Sequence, residues 1–300
     1  MRFTLKQLVV FEAVGRLGSV SRAAAEIPLS QSAASTALGE LENALGLPLF
    51  NRRGRRIGLN ENGRRLMVQA RSLLSQAADI DSVTRPAPAS LQGVLRVAAT
   101  PQIAKTYLAE ACAGFLASHP QVRIALAVHE ASQVLDQVAN IGVDLGFVDV
   151  PCNRSGLVVE QIGEDRLEVV ASPAHPFARM GRIGLDQLRS ASWVLRESGA
   201  SVRSPLTMAL GQADPVLRIA LEANDDEVLK RAVIAGAGLG CMSARALRAE
   251  LVAGGLVALD TDLALRTLLI MVTAQGLNPG RLAPAFAAFA RPAFEQASCR

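Results

Sequence analysis

The sequence predicts an N-terminal all-α module, a long connecting helix and a C-terminal α/β part made of two lobes. Three observations lead to this prediction. The chain has 300 residues, about twice the usual size of one domain; its excess positive charge lies in the first fifth; and apolar runs alternate with helical patterns beyond residue 90. Half of the residues are hydrophobic and 4% are aromatic, which favours packed helices and buried parallel strands.

Charge is distributed unevenly along the chain. Residues 1–65 hold ten Lys and Arg against five Glu, whereas the other 235 residues hold 21 basic and 22 acidic side chains. The formal net charge of +4 therefore comes from the N-terminal part. This asymmetry indicates that the N-terminal part meets a polyanion, although on charge alone a solvated basic surface explains it equally well.

Several classes of protein do not fit this sequence. No apolar run approaches 18 residues, and the first seven residues are polar and helix-like, so we expect neither a membrane span nor a secretory signal. The four cysteines and three histidines lack metal-ligand spacing, so we expect no metal or cofactor, and reduced thiols in a cytoplasmic protein. Cys241 lies in an apolar run and is expected to be a buried thiol rather than a redox sensor.

Two helices are predicted before residue 28. The first spans residues 4–17, where apolar residues recur along one side, and it ends at Gly18. Either Ser19 or Ser21 can cap the second helix. This helix ends before Pro28, because a residue that precedes proline disfavours the α conformation.

A third helix begins after Ser30, which can cap it, and ends at Gly46. Its apolar residues are spaced to form one buried stripe: Ala34, Leu38, Leu41 and Leu45. Short polar residues with no reason to be packed occupy the other side of its first turns: Gln31, Ser32, Ser35 and Thr36. Two helices, a tight turn and a polar N-terminal face are typical of a helix-turn-helix, whose second helix reads base edges in the major groove. We therefore predict that these four residues contact DNA.

Two short β-like runs follow around Gly54, with four arginines at their tip: Arg52, Arg53, Arg55 and Arg56. A hairpin with arginines at its tip beside a helix-turn-helix is a wing. Guanidinium groups in this position can hold phosphates bidentately without reading the base sequence. In this context we expect the four arginines to bind double-stranded DNA rather than only to be solvated.

A fourth helix is predicted from Asn60, its N-cap, to Pro86. About 25 residues reach roughly 37 Å, which is too long for a part of one small DNA-binding module. The helix carries an apolar seam of about two heptads, formed by Leu66, Ala70, Leu73, Ala77 and Ile80. We expect it to pair two subunits, since a pair of helix-turn-helix units reads two half-sites; packing on its own domain is the alternative. A Pro/Ala hinge at 85–90 then marks a domain boundary.

Strand and helix patterns alternate beyond this hinge. The first set has strands at 93–99, 122–128 and 143–149 and helices at 102–117 and 132–140. The second set has strands at 166–171, 192–196, 216–221 and 239–242, helices at 185–189, 201–211, 225–235 and 244–252, and a final strand and helix at 265–273 and 281–297. The alternation predicts parallel βαβ units in two lobes. Ligands of such lobes bind in the cleft, at strand carboxyl ends and helix N-termini.

These segments resemble LysR-type transcriptional regulators over essentially the full length of the chain. The N-terminal matches are Leu8–Val14, Gly18–Ala25, Leu29–Ser35, Leu41–Phe50 and Asn60–Gly63, and the C-terminal ones include Leu95–Pro101, Val143–Val148 and Trp193–Arg203. The resemblance implies a winged helix-turn-helix, a linker helix that pairs subunits into a homodimer or homotetramer, and a two-lobed effector domain like that of periplasmic binding proteins. It also implies a small-molecule effector.

The resemblance divides the chain into three parts. Residues 1–59 are the winged helix-turn-helix, 60–90 the linker helix with its hinge, and 91–300 the effector-binding domain. The chain is expected to cross between the lobes twice, so that lobe I comprises 91–162 and 265–300 and lobe II comprises 163–264.

Some positions depart from the family pattern. The family usually has Pro at the position of Ser32, a longer polar residue at that of Thr36, and Gln where this chain has Ala37. We therefore expect the third helix to make few direct base contacts. More of the specificity is then expected to come from Gln31, Ser35, the wing and DNA shape.

The effector-binding residues that we predict surround the cleft: Thr100, Gln102, Glu130, Ser132, Asp149, Arg196, Ser198, Ser201, Arg203 and Asn224. Thr100 lies where a strand meets a helix, so that its hydroxyl and the free N–H groups behind it can hold an oxyanion. Helix capping alone also explains Thr100, Ser201 and Asn224. We expect a small anion or a carboxylate, as in family members that act in sulfur and small-anion metabolism. An ionised Glu130 facing the cleft would instead favour an amine or a zwitterion.

Two other functional classes compete with a regulator. An enzyme would need a catalytic constellation, yet the chain has no G-x-S-x-G, S-x-x-K or Walker-type loop, and the glycines at 236–240 have the wrong spacing for a dinucleotide site. A free solute-binding protein built on the same two lobes would not need residues 1–85 and would carry an export signal. The sequence therefore predicts a sequence-specific DNA-binding transcriptional regulator, not an enzyme, that is switched by a metabolite bound between two lobes.

Overall fold

The N-terminal module consists of three helices. This computed structural model describes residues 2–53, 56–83, 91–211, 217–277 and 279–295. The helices are α1 (Leu5–Leu17), α2 (Val20–Glu26) and α3 (Gln31–Leu45). They pack around Leu8, Phe11 and Leu41, which are at most 1% exposed. The predicted amphipathic stripes thus form the core of this module.

Short polar side chains cap these helices. Ser19 and Ser30 each accept a backbone N–H of the following turn, at 3.4 and 3.1 Å. Of the two caps expected for α2, Ser19 is therefore the one in use. Gly18 and Gly46 end α1 and α3 with φ of 62° and 71°, a left-handed conformation that glycine adopts without steric cost.

A β-hairpin follows α3. Strands β1 (Phe50–Arg53) and β2 (Arg56–Leu59) pair antiparallel, with Arg53 opposite Arg56. The structure describes the backbone of Arg52, Arg53 and Arg56, whereas Gly54 and Arg55 lie outside the described residues. The hairpin expected for a wing is therefore present, with three of its four arginines on the two strands next to the turn.

Helix α4 (Glu61–Val83) is long, and residues 84–90, which contain its predicted end, lie outside the described part of the chain. Asn60 caps it as expected, because its Oδ1 accepts the N–H of Gly63 at 2.8 Å. The predicted seam divides in two: Ala70 is fully buried in the core of the N-terminal module, whereas Leu73 and Ile80 are 43% and 67% exposed. The first half of the seam therefore packs on its own domain, and the second half leaves apolar side chains exposed to solvent.

Lobe I contains a parallel sheet. Strand β3 (Gly93–Ala99) pairs with β4 (Val122–Val128) on one side and β5 (Leu145–Val148) on the other. A continuous helical segment from residue 101 to 118 follows β3, composed of α5 (Pro101–Ile103), a π-helical turn (Ala104–Leu108) and α6 (Ala109–Ser118). Helices α7 (Ala131–Ala139) and α12 (Leu282–Glu295) complete the lobe. Aromatic side chains fill its core: Tyr107, Phe115, Phe147, Phe286 and Phe294.

Lobe II repeats the parallel arrangement. Strand β7 (Ser192–Leu195) pairs with β8 (Arg218–Glu222) and β9 (Leu239–Ser243). Four helices cover this sheet: α8 (Leu185–Ser190), α9 (Arg203–Leu210), α10 (Asp226–Ile234) and α11 (Arg248–Val252). Trp193 is fully buried in the core of the lobe, and its indole N–H donates to the carbonyl of Leu188 at 2.9 Å.

Two antiparallel strands join the lobes. Strand β6 (Leu157–Ala171) pairs through its residues 157–166 with β11 (Arg266–Ala274). Strand β11 also pairs with β5 of lobe I, and β6 also pairs with β9 of lobe II. The register of the β6–β11 pair shifts between Leu269 and Ile270. The chain thus crosses twice between the lobes, while the domain limits given above stay predictions.

The expected elements differ from the structure at a few places. Strand β6 begins at Leu157, not at 166, because its first half is mostly polar or exposed and lacks a continuous apolar run. Strand β10 (Val257–Ala258) and a 3₁₀ turn (Pro176–Arg179) were not expected, and α11 begins at Arg248 after a turn, not at residue 244. Among the described helices, none combines the length and the apolar character that crossing a membrane requires.

Candidate DNA-binding surface and effector cleft

The polar face predicted for α3 is exposed. Gln31, Ser32, Ser35 and Thr36 all point to solvent, whereas Ala34 of the same turns is fully buried. This alternation follows from the helical period, which turns the apolar stripe toward α1 and leaves the N-terminal polar side chains outside. Short hydroxyl and amide groups at this position can donate to or accept from base edges.

The wing is held against α4 by close backbone contacts. The N–H of Asn60 donates to the carbonyl of Leu49 at 3.0 Å, and the side chain of Asn60 donates to the carbonyl of Pro48 at 2.8 Å. Gly63 packs directly on the residue before β1, because a Cβ at this position would lie 2.1 Å from the backbone oxygen of Leu49. The hairpin backbone therefore has a defined position relative to the helix bundle.

Two buried polar side chains lie at the start of α5. Thr100 is 4% exposed and Gln102 is 7% exposed. The Thr100 hydroxyl finds no hydrogen-bond partner among the described residues, whereas the Gln102 side chain lies beside the carboxyl group of Asp165. The N–H groups of Gln102 and Ile103 belong to the first helical turn, where no carbonyl of the helix can accept them. Uncompensated donors at a helix N-terminus are suited to an anionic ligand.

Side chains of the two lobes meet close to this position. Ser201 donates to the buried carboxylate of Asp149 at 2.6 Å, and the Thr267 hydroxyl donates to the carbonyl of Asp149 at 2.9 Å. Lys105, from the π-helical turn of lobe I, forms an ion pair with Asp225 of lobe II at 3.2 Å. The structure therefore brings Asp149 and Ser201 together, as expected for two residues of one cleft.

The two predicted arginines are already paired. Arg196 donates to both carboxylate oxygens of Glu197, at 3.0 and 2.8 Å, and forms an ion pair with Asp226 at 3.2 Å. The hydrogen bonds with Arg196 hold the pKa of Glu197 below its ordinary value. Arg203 is 2% exposed, donates to the carbonyl of Arg196 and lies 3.3 Å from Glu222. Both guanidinium groups are thus neutralised locally, which sequence patterns did not reveal.

The remaining predicted residues are exposed. Glu130 is the N-cap residue of α7, and its side chain makes no capping hydrogen bond. Ser132 lies in the first turn of the same helix, whereas Ser198 and Asn224 lie in the loops that follow β7 and β8. All four are close in sequence to strand carboxyl ends or helix starts.

A second group of polar residues, centred on a buried carboxyl, was missed by sequence reasoning. It surrounds Asp165 of β6, which is 1% exposed, and includes Gln102, Tyr107, Ser243 and Arg245. Burial raises the pKa of Asp165, while these neighbours act in the opposite direction without cancelling the effect. The Arg245 guanidinium lies 4.8 Å from the centroid of the Tyr107 ring and donates to the carbonyl of Ala293 at 2.9 Å. These contacts connect lobe II with lobe I beside the crossing strands.

Cys241 lies in strand β9 and is 1% exposed. Burial raises the pKa of its thiol to about 12, so that almost no thiolate exists at neutral pH. The expectation of a buried, unreactive thiol agrees with this position.

A helix-turn-helix with a wing, followed by a long helix and a two-lobed α/β domain, defines a ligand-responsive DNA-binding regulator. Two family models match this chain: "Bacterial regulatory helix-turn-helix protein, lysR family" over residues 5–64 and "LysR substrate binding domain" over residues 88–295. The chain belongs to the LysR family of transcriptional regulators. Its function is therefore the regulation of transcription and not catalysis, as the sequence predicted.

Individual relatives agree with this assignment. The chain is 38% identical over 270 residues to the uncharacterized HTH-type transcriptional regulator YeiE of Escherichia coli K12, covering 89% of this chain and 90% of the relative. The fold is similar to full-length OxyR of Pseudomonas aeruginosa, with a TM-score of 0.75, 17% identity and 97% of each chain covered. It is also similar to the regulatory domain of Synechocystis CcmR in complex with 2-PG, with a TM-score of 0.60, 23% identity, and 68% and 98% of the two chains covered.

Proposed function

We propose that this regulator is switched by a small anion held at the N-terminus of the helical segment 101–118, between the two lobes. The observation that supports this proposal most strongly is the unpartnered hydroxyl of Thr100, which is more than nine-tenths buried beside the first N–H groups of this segment. Burying a hydroxyl without a partner is costly, and a ligand with several acceptor oxygens offsets that cost. The occupancy of a CcmR regulatory domain by 2-PG, a ligand of that neighbour, is compatible with such a site.

A cationic or zwitterionic effector is the second candidate. The carboxylate of Asp149 is buried near the cleft, and Glu130 is exposed at the start of α7. Both charges oppose a bare anion and attract an ammonium group. The two candidates therefore predict opposite ligand preferences, which one measurement distinguishes.

Thermal unfolding of the full-length protein tests this proposal. We expect sulfate, sulfite, phosphate or a small carboxylate to raise the Tm, whereas ethanolamine has no effect; a ligand at 100 times its Kd stabilises by about 2.7 kcal/mol. If ethanolamine raises the Tm and none of the anions does, the anion proposal is wrong and the second candidate is supported.

Variants at Thr100 connect the effect to the proposed site. Thr100→Val removes the hydroxyl and keeps the shape of the side chain, so we expect it to abolish most of the anion-dependent shift in Tm. Thr100→Ser keeps the hydroxyl and serves as the matched control. An equal anion-dependent shift in Thr100→Val and in the native protein would place the ligand elsewhere.

We also propose how the switch acts on DNA. Two copies pair through the exposed apolar half of α4, including Leu73 and Ile80, in a homodimer or a dimer of dimers in the cytoplasm. The α3 side chains and the wing arginines of each copy contact one half-site of double-stranded DNA. The bound metabolite favours one arrangement of the lobes, and this changes the spacing of the DNA-binding units and the bending of the promoter.

The pairing is tested by light scattering of an Ile80→Glu variant. A charge on the seam is expected to convert the oligomer to a monomer and to weaken DNA binding. An unchanged mass would show that α4 does not pair subunits.

A further inference from the structure

The turn after α7 holds an isoleucine in an unfavourable backbone conformation. Ile141 has a φ of +55°, the left-handed region that a β-branched residue rarely adopts. The N–H of Ile141 donates to Val138 at 2.9 Å, and the N–H of Gly142 donates to Gln137 at 2.7 Å. This pattern ends helices in which glycine normally occupies the left-handed position. A surface turn of this type has no local reason to contain isoleucine.

The side chain of Ile141 provides a reason. It is 5% exposed and belongs to the apolar cluster of the N-terminal module, together with Leu8, Phe11 and Met67. Ala274 and Leu277, at the end of β11, pack against the same cluster. Lobe I thus contributes apolar side chains from two separate segments to the core of the DNA-binding module.

Charged groups of the N-terminal module lie beside this cluster. Glu12 of α1 accepts two hydrogen bonds from Arg71 of α4, at 2.6 and 3.1 Å, and lies 3.4 Å from Arg16. Burial raises the pKa of Glu12, but Arg71, Arg16 and Arg96 of β3 together outweigh it and hold this pKa below its ordinary value. Arg96 is a residue of lobe I, so the charge of this lobe acts on a carboxylate of α1. The ion pairs of Glu12 themselves lie within the N-terminal module.

We propose that Ile141, with Ala274 and Leu277, forms a docking contact through which lobe I fixes the orientation of the DNA-binding module of the same chain. The contact involves the cluster around α1 and α4, whereas the polar side chains at the start of α3 stay exposed. Lobe I can therefore dock while α3 contacts DNA. Because burial of Ile141 offsets the unfavourable backbone of the turn, docking and the conformation of residues 137–142 are linked. This inference does not depend on the identity of the effector.

Hydrogen–deuterium exchange of the full-length protein tests this linkage in three forms: native, Ile141→Gly and Ile141→Leu. Glycine suits the left-handed turn and removes the contact, whereas leucine keeps an apolar side chain. In Ile141→Gly we expect exchange at least five-fold faster in residues 8–14 and 66–71, and unchanged or slower in residues 137–142. In Ile141→Leu we expect exchange within two-fold of the native protein at both places. Unchanged exchange in residues 8–14 and 66–71 of Ile141→Gly, or faster exchange in the turn itself, would overturn the proposal.

A second arm tests the coupling to DNA. Binding of duplex DNA from upstream of the protein's own coding sequence is expected to change the exchange of residues 137–144 in the native protein, because linkage is reciprocal. The same duplex should leave these residues unaffected in Ile141→Gly. No change in the native protein at saturating DNA would show that the contact does not couple the two parts.

Discussion

Gly63 of α4 lies where the wing meets the helix, and its replacement by alanine tests how the wing is held. A Cβ at this position would lie 2.1 Å from the backbone oxygen of Leu49 and 2.9 Å from a methyl group of Leu59. An ordinary contact between such atoms is about 3.5 Å, so strand and helix must separate by about 1.4 Å. The obstacle is a backbone oxygen that also accepts the N–H of Asn60, so it cannot simply rotate away.

The expected magnitude combines two opposing effects. Overpacking of this kind costs about 1–3 kcal/mol, whereas alanine is favoured over glycine inside a helix by about 1 kcal/mol. A Cβ only 2.1 Å from a backbone oxygen belongs at the upper end of that range, about 3 kcal/mol. The net destabilisation of Gly63→Ala is then about 2 kcal/mol, and each kcal/mol lowers the Tm of a module of this size by roughly 4–8 °C. Gly39→Ala in α3 is the matched control, because its Cβ would meet nothing within 4 Å. We expect that change to be neutral or stabilising.

Far-UV circular dichroism on heating and DNA binding in a salt series provide the assay. Trp193 lies in lobe II, so its fluorescence should report the same unfolding of that lobe in both variants. Gly63→Ala should also weaken DNA binding, since a displaced wing no longer reaches its phosphates. Native values of Tm and DNA affinity in Gly63→Ala would refute the reasoning that the wing rests directly on α4.

Three further predictions concern single groups. Replacing Arg55 and Arg56 by Ala should weaken binding to every duplex and reduce the slope of log K against log salt by about 2; an unchanged slope would show that the wing does not touch phosphates. Gln31→Ala should relax the preference at one base pair, by about 1–3 kcal/mol in a series of substituted duplexes, and equal losses at all positions would contradict base readout. Burial raises the pKa of Asp165, so the native protein should lose stability relative to Asp165→Asn as pH rises from about 4 through the pKa of the folded state. A difference in unfolding free energy that is independent of pH would exclude this effect.

Local chemistry explains which parts of the fold the sequence predicted. A cap such as Ser19 or Asn60 acts on a backbone N–H three residues away, and Gly18 ends its helix through its own conformation. The helix-turn-helix, the wing and most strands depend on such short-range patterns. The exposure of the polar residues of α3 followed from the same helical period.

The cleft was harder to predict because its chemistry depends on distant pairs. The ion pair of Lys105 with Asp225 joins residues 120 positions apart, and no short pattern contains both. Arg196 looked like a ligand for an anion, but the pairing with Asp226 across 30 positions neutralises it. The burial of Asp165 depends on a strand whose first half lacks an apolar run. The sequence pattern therefore predicted neither this half of the strand nor the burial of its carboxyl group. The prediction at Thr100 depends only on its position between a strand and a helix, which is a local pattern.

The ladder of β6 and β11 restricts how the lobes can move. A pair of hydrogen-bonded antiparallel strands resists stretching and in-plane bending, but it twists more easily about its long axis. The irregularity between Leu269 and Ile270 is where such torsion meets the least resistance. A bound metabolite would then rotate one lobe relative to the other about the long axis of these two strands. Neighbouring subunits on operator DNA would then change their relative angle together with the spacing of their DNA-binding units.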